Sequence, residues 1–363
     1  MQDQNYMELA ISLAKKGAGY VNPNPMVGAV IVKDNHIISQ GYHASYGSYH
    51  AERQAILSSP TSVSGSTLYV TLEPCCHHGK TPPCTDLIIE SGITRVVVGT
   101  LDPNPKMSGK GVEQLKQHGI DVVVGVLEEK CKNLIQIFSH YITTKTPYVI
   151  LKYAMTMDGK IATHTRQSKW ITGEKARYHV HQIRHNVSGI LVGSRTIKED
   201  DPLLTCRLEH GKNPTRIICD THLTIPLSSQ VVQTAYKIPT IIATCEENFE
   251  KHLPFLNCGC TILPFSSEYQ QVPFQLLMKQ LGEFHQIDSL LIEGGSTIHW
   301  SALKEGTVNK VLCYIAPKLF GGANAPSPIG GIGISSIGEH FQLSTPEITK
   351  LGDDILLESE VIS

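Results

Sequence analysis

The sequence predicts a two-domain α/β protein, and three observations support that class. The chain has 363 residues, enough for about two domains of ordinary size. Short apolar, β-branched runs alternate with stretches of helical spacing, as layered α/β architectures require. The alternation pauses in the polar stretch Thr143-Thr144-Lys145-Thr146-Pro147 and then restarts, which places a domain boundary near Pro147.

The elements follow in order. Tyr6 to Lys16 puts Met7, Ala10, Ile11 and Ala14 on one helical face before Gly17 stops it. Val27 to Val32, Leu68 to Leu72, Arg95 to Gly99 and Asp121 to Val126 read as strands. Between them, Ala51 to Leu57, Thr85 to Glu90 and Gly111 to Gln117 have helix-compatible spacing. In the second series Tyr148 to Tyr153 is a strand and Lys175 to His185 a helix. Strands are then predicted at Gly189 to Val192, Arg216 to Cys219, Thr240 to Ala243, Leu290 to Ile292 and Lys310 to Ile315.

Composition narrows the function. Hydrophobic residues at 41% and charged residues at 18% describe an ordinary globular chain and exclude a disordered one. Lys+Arg 31 against Asp+Glu 33 gives net charge −2, which lacks the basic surplus of a polynucleotide binder. A small phosphorylated ligand remains compatible, because a few local cations suffice. The uncharged stretch Leu319 to Gly338 is broken by glycines and prolines and cannot be a spanning helix. The polar start Met1-Gln2-Asp3-Gln4-Asn5 lacks a signal-peptide charge region. The 10 cysteines therefore read as thiols in a cytoplasmic protein, some of them bound to metal.

One constellation dominates the first domain: His50-Ala51-Glu52, then Pro74-Cys75, then Cys84. His-x-Glu followed by Pro-Cys-x-x-Cys is the zinc-deaminase signature, which this stretch matches except in the spacing of its thiols. A catalytic zinc needs three protein ligands and one open position, which one imidazole and two thiolates supply. The metal makes hydroxide available near neutral pH. Glu52 is then the carboxylate that moves protons from the attacking water to the departing ammonia. A structural zinc would normally take four protein ligands and leave Glu52 idle. The thiols are nine positions apart instead of three, so Cys75, Cys76, His77 and His78 all compete for the middle ligand. Cys75 is the choice because it follows Pro74 directly.

The second half is less explicit. No Gly-x-Gly-x-x-Gly follows a strand, so a Rossmann fingerprint is absent. Leu290 to Thr297 reads as a strand, a Gly294-Gly295 turn and a helix start, which suits either a phosphate or a ligand-free tight turn. Arg184 and Arg207 could clamp a phosphate, although a lone arginine is more often solvated. Asp200-Asp201-Pro202 reads most simply as a turn, and Trp170, taken alone, as a core residue.

Asn22-Pro23-Asn24-Pro25-Met26-Val27-Gly28, His50-Ala51-Glu52, the Pro74 to Cys84 segment and Asp102-Pro103-Asn104-Pro105 resemble the bifunctional deaminase/reductase family of riboflavin biosynthesis. The second half extends the match through Lys152-Tyr153-Ala154-Met155-Thr156-Met157-Asp158-Gly159-Lys160, Trp170-Ile171-Thr172-Gly173 and Val192-Gly193-Ser194-Arg195-Thr196. Asp200 to Thr205 and Glu293-Gly294-Gly295 complete it, so the blocks run in family order from about Asn22 to Gly322.

The resemblance implies a cytidine-deaminase-like three-layer α/β/α domain and a dihydrofolate-reductase-like α/β domain. Residues 1–145 would form the zinc-dependent pyrimidine deaminase and residues 147–363 the NADPH-dependent reductase. The first would hydrolyse the 2-amino group of 2,5-diamino-6-(5-phosphoribosylamino)pyrimidin-4-one, and the second would reduce the product's ribosyl group to ribityl. Zinc falls on His50, Cys75 and Cys84, with Glu52 as proton carrier. Substrate contacts of the deaminase fall on Asn24, His43, His77, Lys80, Asp102 and Asn104. NADPH falls on Ala154, Trp170, Thr196, Asp200 and the run Gly295, Ser296, Thr297, Ile298, His299, Trp300 and Ser301. Ser168, Arg184, Leu204, Arg207 and Glu293 would touch the reductase substrate, with Lys152 and Asp200 at the reaction centre. A homo-oligomer is a candidate assembly, since paired domains with glycine-rich C-terminal loops often associate.

Overall fold

The computed structural model describes residues 2–77 and 82–362, and the chain divides into two compact units, Met1–Lys145 and Thr146–Ser363. The first unit opens with α1 (Gln2–Ala14), which begins earlier than the sequence predicts and passes into a 3-10 turn over Lys15–Gly17. Next come β1 (Gly28–Lys33) and β2 (His36–Tyr42), an antiparallel hairpin that the strand pattern alone did not reveal. Its two-residue turn Asp34-Asn35 has φ of 48° and 63°, the left-handed pair that short polar side chains tolerate in tight hairpins. The remainder is α2 (Ala51–Leu57), β3 (Thr67–Leu72), α3 (Cys84–Glu90), β4 (Arg95–Thr100), α4 (Lys110–Gln117), β5 (Asp121–Val124), α5 (Glu128–Leu134) and α6 (Gln136–Thr144). β5 ends two residues short of its expected limit because Gly125 turns the chain with φ 94°.

These strands form one five-stranded sheet in the order β2-β1-β3-β4-β5. β1 runs antiparallel to β2 and β3, whereas β3, β4 and β5 are parallel. Both faces are buried. Ala29, Ile31, Leu68, Val70, Val96 and Val98 pack with Ala51, Ala55, Ile88, Val112 and Leu115 of α2, α3 and α4. The alternate positions Val30, Val32, Tyr69 and Val97 pack with Met7, Ala10, Ile11 and Cys131 of α1 and α5. The period-2 alternation of a strand thus produces the three layers.

The second unit contains β6 (Tyr148–Thr156), α7 (Glu174–Asn186), β7 (Gly189–Gly193), α8 (Ser194–Asp200), β8 (Thr215–Cys219), α9 (Gln230–Gln233), β9 (Thr240–Thr244), α10 (Phe249–Asn257) and β10 (Thr261–Pro264). It continues through α11 (Phe274–His285), β11 (Ser289–Gly294), α12 (Ser296–Lys304), β12 (Lys310–Ala316), β13 (Gln342–Leu343), β14 (Glu347–Leu351) and β15 (Asp354–Ile362). The sheet order is β10-β9-β8-β7-β11-β6-β12-β15-β13, with β14 on β15. Strands from β10 to β12 along this order are parallel; β15 then pairs antiparallel with β12, β13 and β14. Val149, Leu151, Ile217 and Ile292 pack against α11 and α12, while Ile190, Val192, Ile218 and Ile242 pack against residues of α8, α9 and α10.

The glycine- and proline-rich stretch after β12 is held against α12. Gly330 donates its N–H to the Ser296 carbonyl at 3.0 Å, and a Cβ at Gly331 would meet the Trp300 ring at 2.1 Å. Among the described residues no helix is long and apolar enough to cross a membrane, and none of the 10 cysteines is in a disulfide.

Candidate active sites

In the first unit the site lies at the carboxyl ends of the parallel strands, where an open α/β sheet leaves a crevice. His50 is the extended residue that caps α2, so its ring stands at the helix start. Cys84 is the first residue of α3. Cys75 follows β3, and its carbonyl accepts the N–H groups of Cys84 at 3.0 Å and Thr85 at 3.2 Å. These two bonds draw both ends of the long Cys75 to Cys84 insertion to one point, so the unusual spacing still yields a compact donor set. His50 Nδ1 lies 3.4 Å from each of the Cys75 and Cys84 sulfurs. The three ligand atoms lie within 4.8 Å of one another. One nitrogen and two sulfurs around a single point fit a catalytic zinc with an open position. Cys76 lies outside this group, and so does His77. His78 and Lys80 fall outside the described residues.

Glu52 sits in the first turn of α2 and is 3% exposed. Burial pushes its carboxyl up to about 7, and the neighbouring Cys75 thiolate adds to the effect. The Cys75 thiol is drawn down to about 4 by hydrogen bonds from Cys84 and then His50. Cys84 moves upward, first through its bond to Cys75 and then through burial.

A cavity of about 320 Å³ opens on this centre, with Asn24, His43, His77, Asp102 and Asn104 on its walls beside His50, Glu52 and Cys75. His43 Nδ1 is 3.0 Å from the Tyr49 carbonyl and must therefore donate there, leaving Nε2 to accept from Asn24 Nδ2 at 3.1 Å. The bond turns the Asn24 amide so that its oxygen is the face left for a ligand donor. Burial lowers the His43 pKa, which favours the neutral ring this arrangement requires. The cavity also has walls that the motif reading missed: Tyr46, Phe138 and Ile142. Phe138 and Ile142 are spaced four apart on α6, an apolar pair at helical spacing that was there to be read.

The metal assignment has a direct check. Replacing Cys75 with alanine should leave the purified chain with little zinc, whereas Cys76→Ala should retain it at the wild-type ratio. Metal analysis of the two variants decides this; zinc loss from Cys76→Ala alone would move the ligand.

In the second unit a cavity of about 590 Å³ is lined by Lys152, Ala154, Ser168, Thr196, Asp200, Glu293 and the turn Gly295, Ser296 and Thr297, with Ile298, His299 and Ser301 behind it. Gly295 has φ 86°, a conformation that side-chain-bearing residues rarely adopt, and it delivers the chain into α12. His299 is 2% exposed. Its Nδ1 donates to the Pro328 carbonyl at 2.9 Å, and its buried Nε2 has no hydrogen-bond partner among the described residues. A dinucleotide fits such a cavity: a glycine turn at a helix start suits phosphate, and an orphaned acceptor suits a ligand N–H or O–H.

Lys152 and Glu293 of the cavity wall join Arg184 behind it in a buried ionic cluster. Arg184 Nε and Nη2 grip Glu293 at 2.5 Å and 3.0 Å, and Lys152 Nζ stands 3.5 Å from the same carboxylate. Arg184 also donates to the Thr205 carbonyl at 2.9 Å. Its side chain is 15% exposed, which overturns the solvated role expected of a lone arginine: a buried carboxylate partner outweighs water here. Burial alone would raise the Glu293 pKa, but the Arg184 and Lys152 charges override it and hold it at about 2. Arg207 donates its Nε to His181 Nε2 at 3.0 Å. Ser168 Oγ bonds Asp200 Oδ1 at 3.3 Å.

Trp170, Arg184, Leu204, Arg207 and Trp300 are not on the cavity wall. Leu204 is buried, with φ 54°, and Trp300 packs on Phe341 with ring centroids 5.9 Å apart. The core position expected of Trp170 from its residue type is not observed. Trp170 is 58% exposed, with the Arg177 guanidinium 4.9 Å from its ring centroid, a cation–π contact that covers one face without burying the side chain.

Residues 147–357 match the family model of the RibD C-terminal domain. Residues 1–100 match the cytidine and deoxycytidylate deaminase zinc-binding region. The riboflavin biosynthesis protein RibD of Actinobacillus pleuropneumoniae is 52% identical over 363 residues, covering 100% of this chain and 96% of that one. Its counterpart in Aquifex aeolicus is 47% identical over 358 residues, covering 98% and 97%. Among solved structures, form 1 of Acinetobacter baumannii RibD superposes with TM-score 0.89 at 33% identity, covering 100% of this chain and 99% of that one. A diaminohydroxyphosphoribosylaminopyrimidine deaminase/5-amino-6-(5-phosphoribosylamino)uracil reductase from Thermotoga maritima superposes with TM-score 0.85 at 41% identity, covering 99% of each.

Proposed function

The chain belongs to the RibD family of bifunctional riboflavin-biosynthesis deaminase/reductases, with zinc and NADPH as cofactors, and from that premise we propose what each of its sites does. The first unit removes the 2-amino group of 2,5-diamino-6-(5-phosphoribosylamino)pyrimidin-4-one as ammonia. The second reduces the ribosyl group of the resulting 5-amino-6-(5-phosphoribosylamino)uracil to ribityl. One observation carries this reading: three ligand atoms within 4.8 Å of one another, with a buried carboxylate beside them on the wall of one cavity.

When bound, zinc supplies Lewis acidity that activates water, and NADPH supplies hydride. His50, Cys75 and Cys84 hold the metal. Glu52 takes a proton on its carboxylate and passes it to the leaving nitrogen. Asn24, oriented by His43, accepts from the pyrimidine, and Asp102, Asn104, His77 and Lys80 secure the rest of the substrate. In the second unit Ala154, Thr196, Asp200, residues 295–299 and Ser301, all on the cavity wall, hold the dinucleotide, while Trp170 and Trp300 stand off that wall. Lys152 and Asp200 flank the reacting sugar, Ser168 contacts the substrate, and Arg184 reaches it through Glu293, while Leu204 and Arg207 stand off the cavity wall and make no direct contact. A pathway that draws on reduced nicotinamide and free thiols belongs in the cytoplasm.

The test is mass spectrometry of the diaminopyrimidine phosphate incubated with zinc-loaded protein, with and without NADPH. Deamination alone without the cofactor and deamination plus reduction with it are expected. Deamination without reduction in either sample would leave the second unit's assignment without support. Asp200→Asn should in addition slow NADPH oxidation by about 10-fold or more while ammonia release is unchanged. Unaltered reductase kinetics in that variant would remove Asp200 from the reaction centre.

A further inference from the structure

Glu73, the residue just past β3 and two before Cys75, is 6% exposed and has no part in the chemistry described above. Its carboxylate accepts four backbone N–H groups. Oε2 takes those of Asp102 at 3.0 Å and Gly109 at 2.9 Å. Oε1 takes those of Gly111 at 2.9 Å and Val112 at 3.1 Å. No cation pairs with it among the described residues. The charge is instead met by amides, two of them at the amino end of α4, where the helix dipole favours an anion.

These four bonds reach across the loop that joins β4 to α4, and that loop carries Asp102 and Asn104 on the cavity wall. With the Asp102 amide pinned, Asp102 Oδ1 accepts from Asn104 N at 2.8 Å, and Asn104 Oδ1 accepts from Lys106 N at 3.1 Å. Each link orients the next. The far end of the loop is equally constrained, because a Cβ at Gly111 would lie 2.2 Å from the Pro74 carbonyl oxygen. We propose that Glu73 is a positioning residue for the deaminase: its carboxylate registers the substrate-side loop of Asp102 and Asn104 against the strand end that carries Cys75, so that these two side chains stand ready to bind the substrate. The inference rests on the reading of Asn104 as a substrate contact.

The experiment uses the full chain loaded with zinc, with deaminase rates on the diaminopyrimidine phosphate referenced to bound metal. In Glu73→Gln one oxygen can still accept two amides, but the side-chain NH₂ faces the other two N–H donors and that half of the anchor fails. The expected result is a KM increase of about 10- to 100-fold, the size of one or two lost substrate hydrogen bonds. The kcat should change much less, zinc content should hold, and the reductase activity of the same molecules should be unaffected. Glu73→Asp, which keeps the charge but is one methylene shorter, should show a smaller KM increase. Asn104→Ala should raise KM in the wild-type background and add little in the Glu73→Gln background.

A fall in kcat at unchanged KM, or loss of zinc from both Glu73 variants, would overturn the proposal, since either makes Glu73 a support of the fold or of the metal loop. If Asn104→Ala raises KM and neither Glu73 variant does, the positioning role alone fails. If Asn104→Ala also leaves KM unchanged, the underlying reading of the substrate wall fails with it.

Discussion

Replacing Glu52 with glutamine should abolish ammonia release while zinc remains bound and NADPH-dependent reduction continues. Glutamine has nearly the shape of glutamate, so the first turn of α2 and the buried site around residue 52 stay filled. Glu52 is not one of the three clustered donors, so the metal keeps its ligands. Proton transfer is what disappears, because an amide cannot carry a proton between the attacking water and the leaving nitrogen. Loss of a positioned general acid–base group costs about 10²- to 10⁴-fold in rate. A coupled ammonia assay together with metal analysis measures both halves of the expectation. Ammonia release near the wild-type rate by the zinc-loaded variant would remove Glu52 from the proton path.

Glu293→Gln is the second large effect, and it combines stability with activity. Glu293 is gripped by Arg184 and approached by Lys152, and its side chain is 7% exposed. Removing the carboxylate charge leaves two cations in a dry site without compensation, which costs about 3–5 kcal/mol when one partner of a buried pair is lost. Thermal unfolding should therefore report a less stable second unit, and NADPH oxidation should fall sharply even below its melting range. The pH dependence has a definite sign. The folded-state value of about 2 lies below the ordinary 4.5, so this group's contribution is complete above about pH 4.5 and is lost as pH falls through about 2. Glutamine cannot titrate, so the variant should lack this part of the acid limb. A wild-type melting temperature together with wild-type reductase rates would show that the cluster supports neither stability nor catalysis.

Much of the architecture was legible because it is encoded locally. The runs at Leu68 to Leu72, Arg95 to Gly99 and Gly189 to Val192 are apolar and β-branched over a strand's length, and each forms a strand within a residue or so of the expected limits. The helix over Ala51 to Leu57 was equally plain, with an extended His50 ahead of it. β2 was missed because His36 to Tyr42 mixes exposed polar with buried positions and depends on pairing with β1. β13, β14 and β15 were missed for a similar reason: they cluster on one edge of the sheet, where pairing substitutes for a strong apolar pattern.

By itself the sequence determined the α/β class, the place where its pattern restarts, and a zinc-site vocabulary: His50, Cys84 and the Cys75 that follows Pro74 as ligands, with Glu52 as proton carrier. Residue type and spacing over a few positions carry that information. Tertiary structure alone brought the Cys75 sulfur, already the sequence's choice, beside His50 and Cys84, because its carbonyl closes on Cys84 and Thr85. It also decided that Arg184 meets Glu293, 109 positions away, that Trp170 lies outside the core, and that Glu73 anchors amides as far along the chain as Val112. Partner choice by a charged or aromatic side chain depends on which distant backbone arrives beside it and how much water is left there. No local pattern of residues records either quantity.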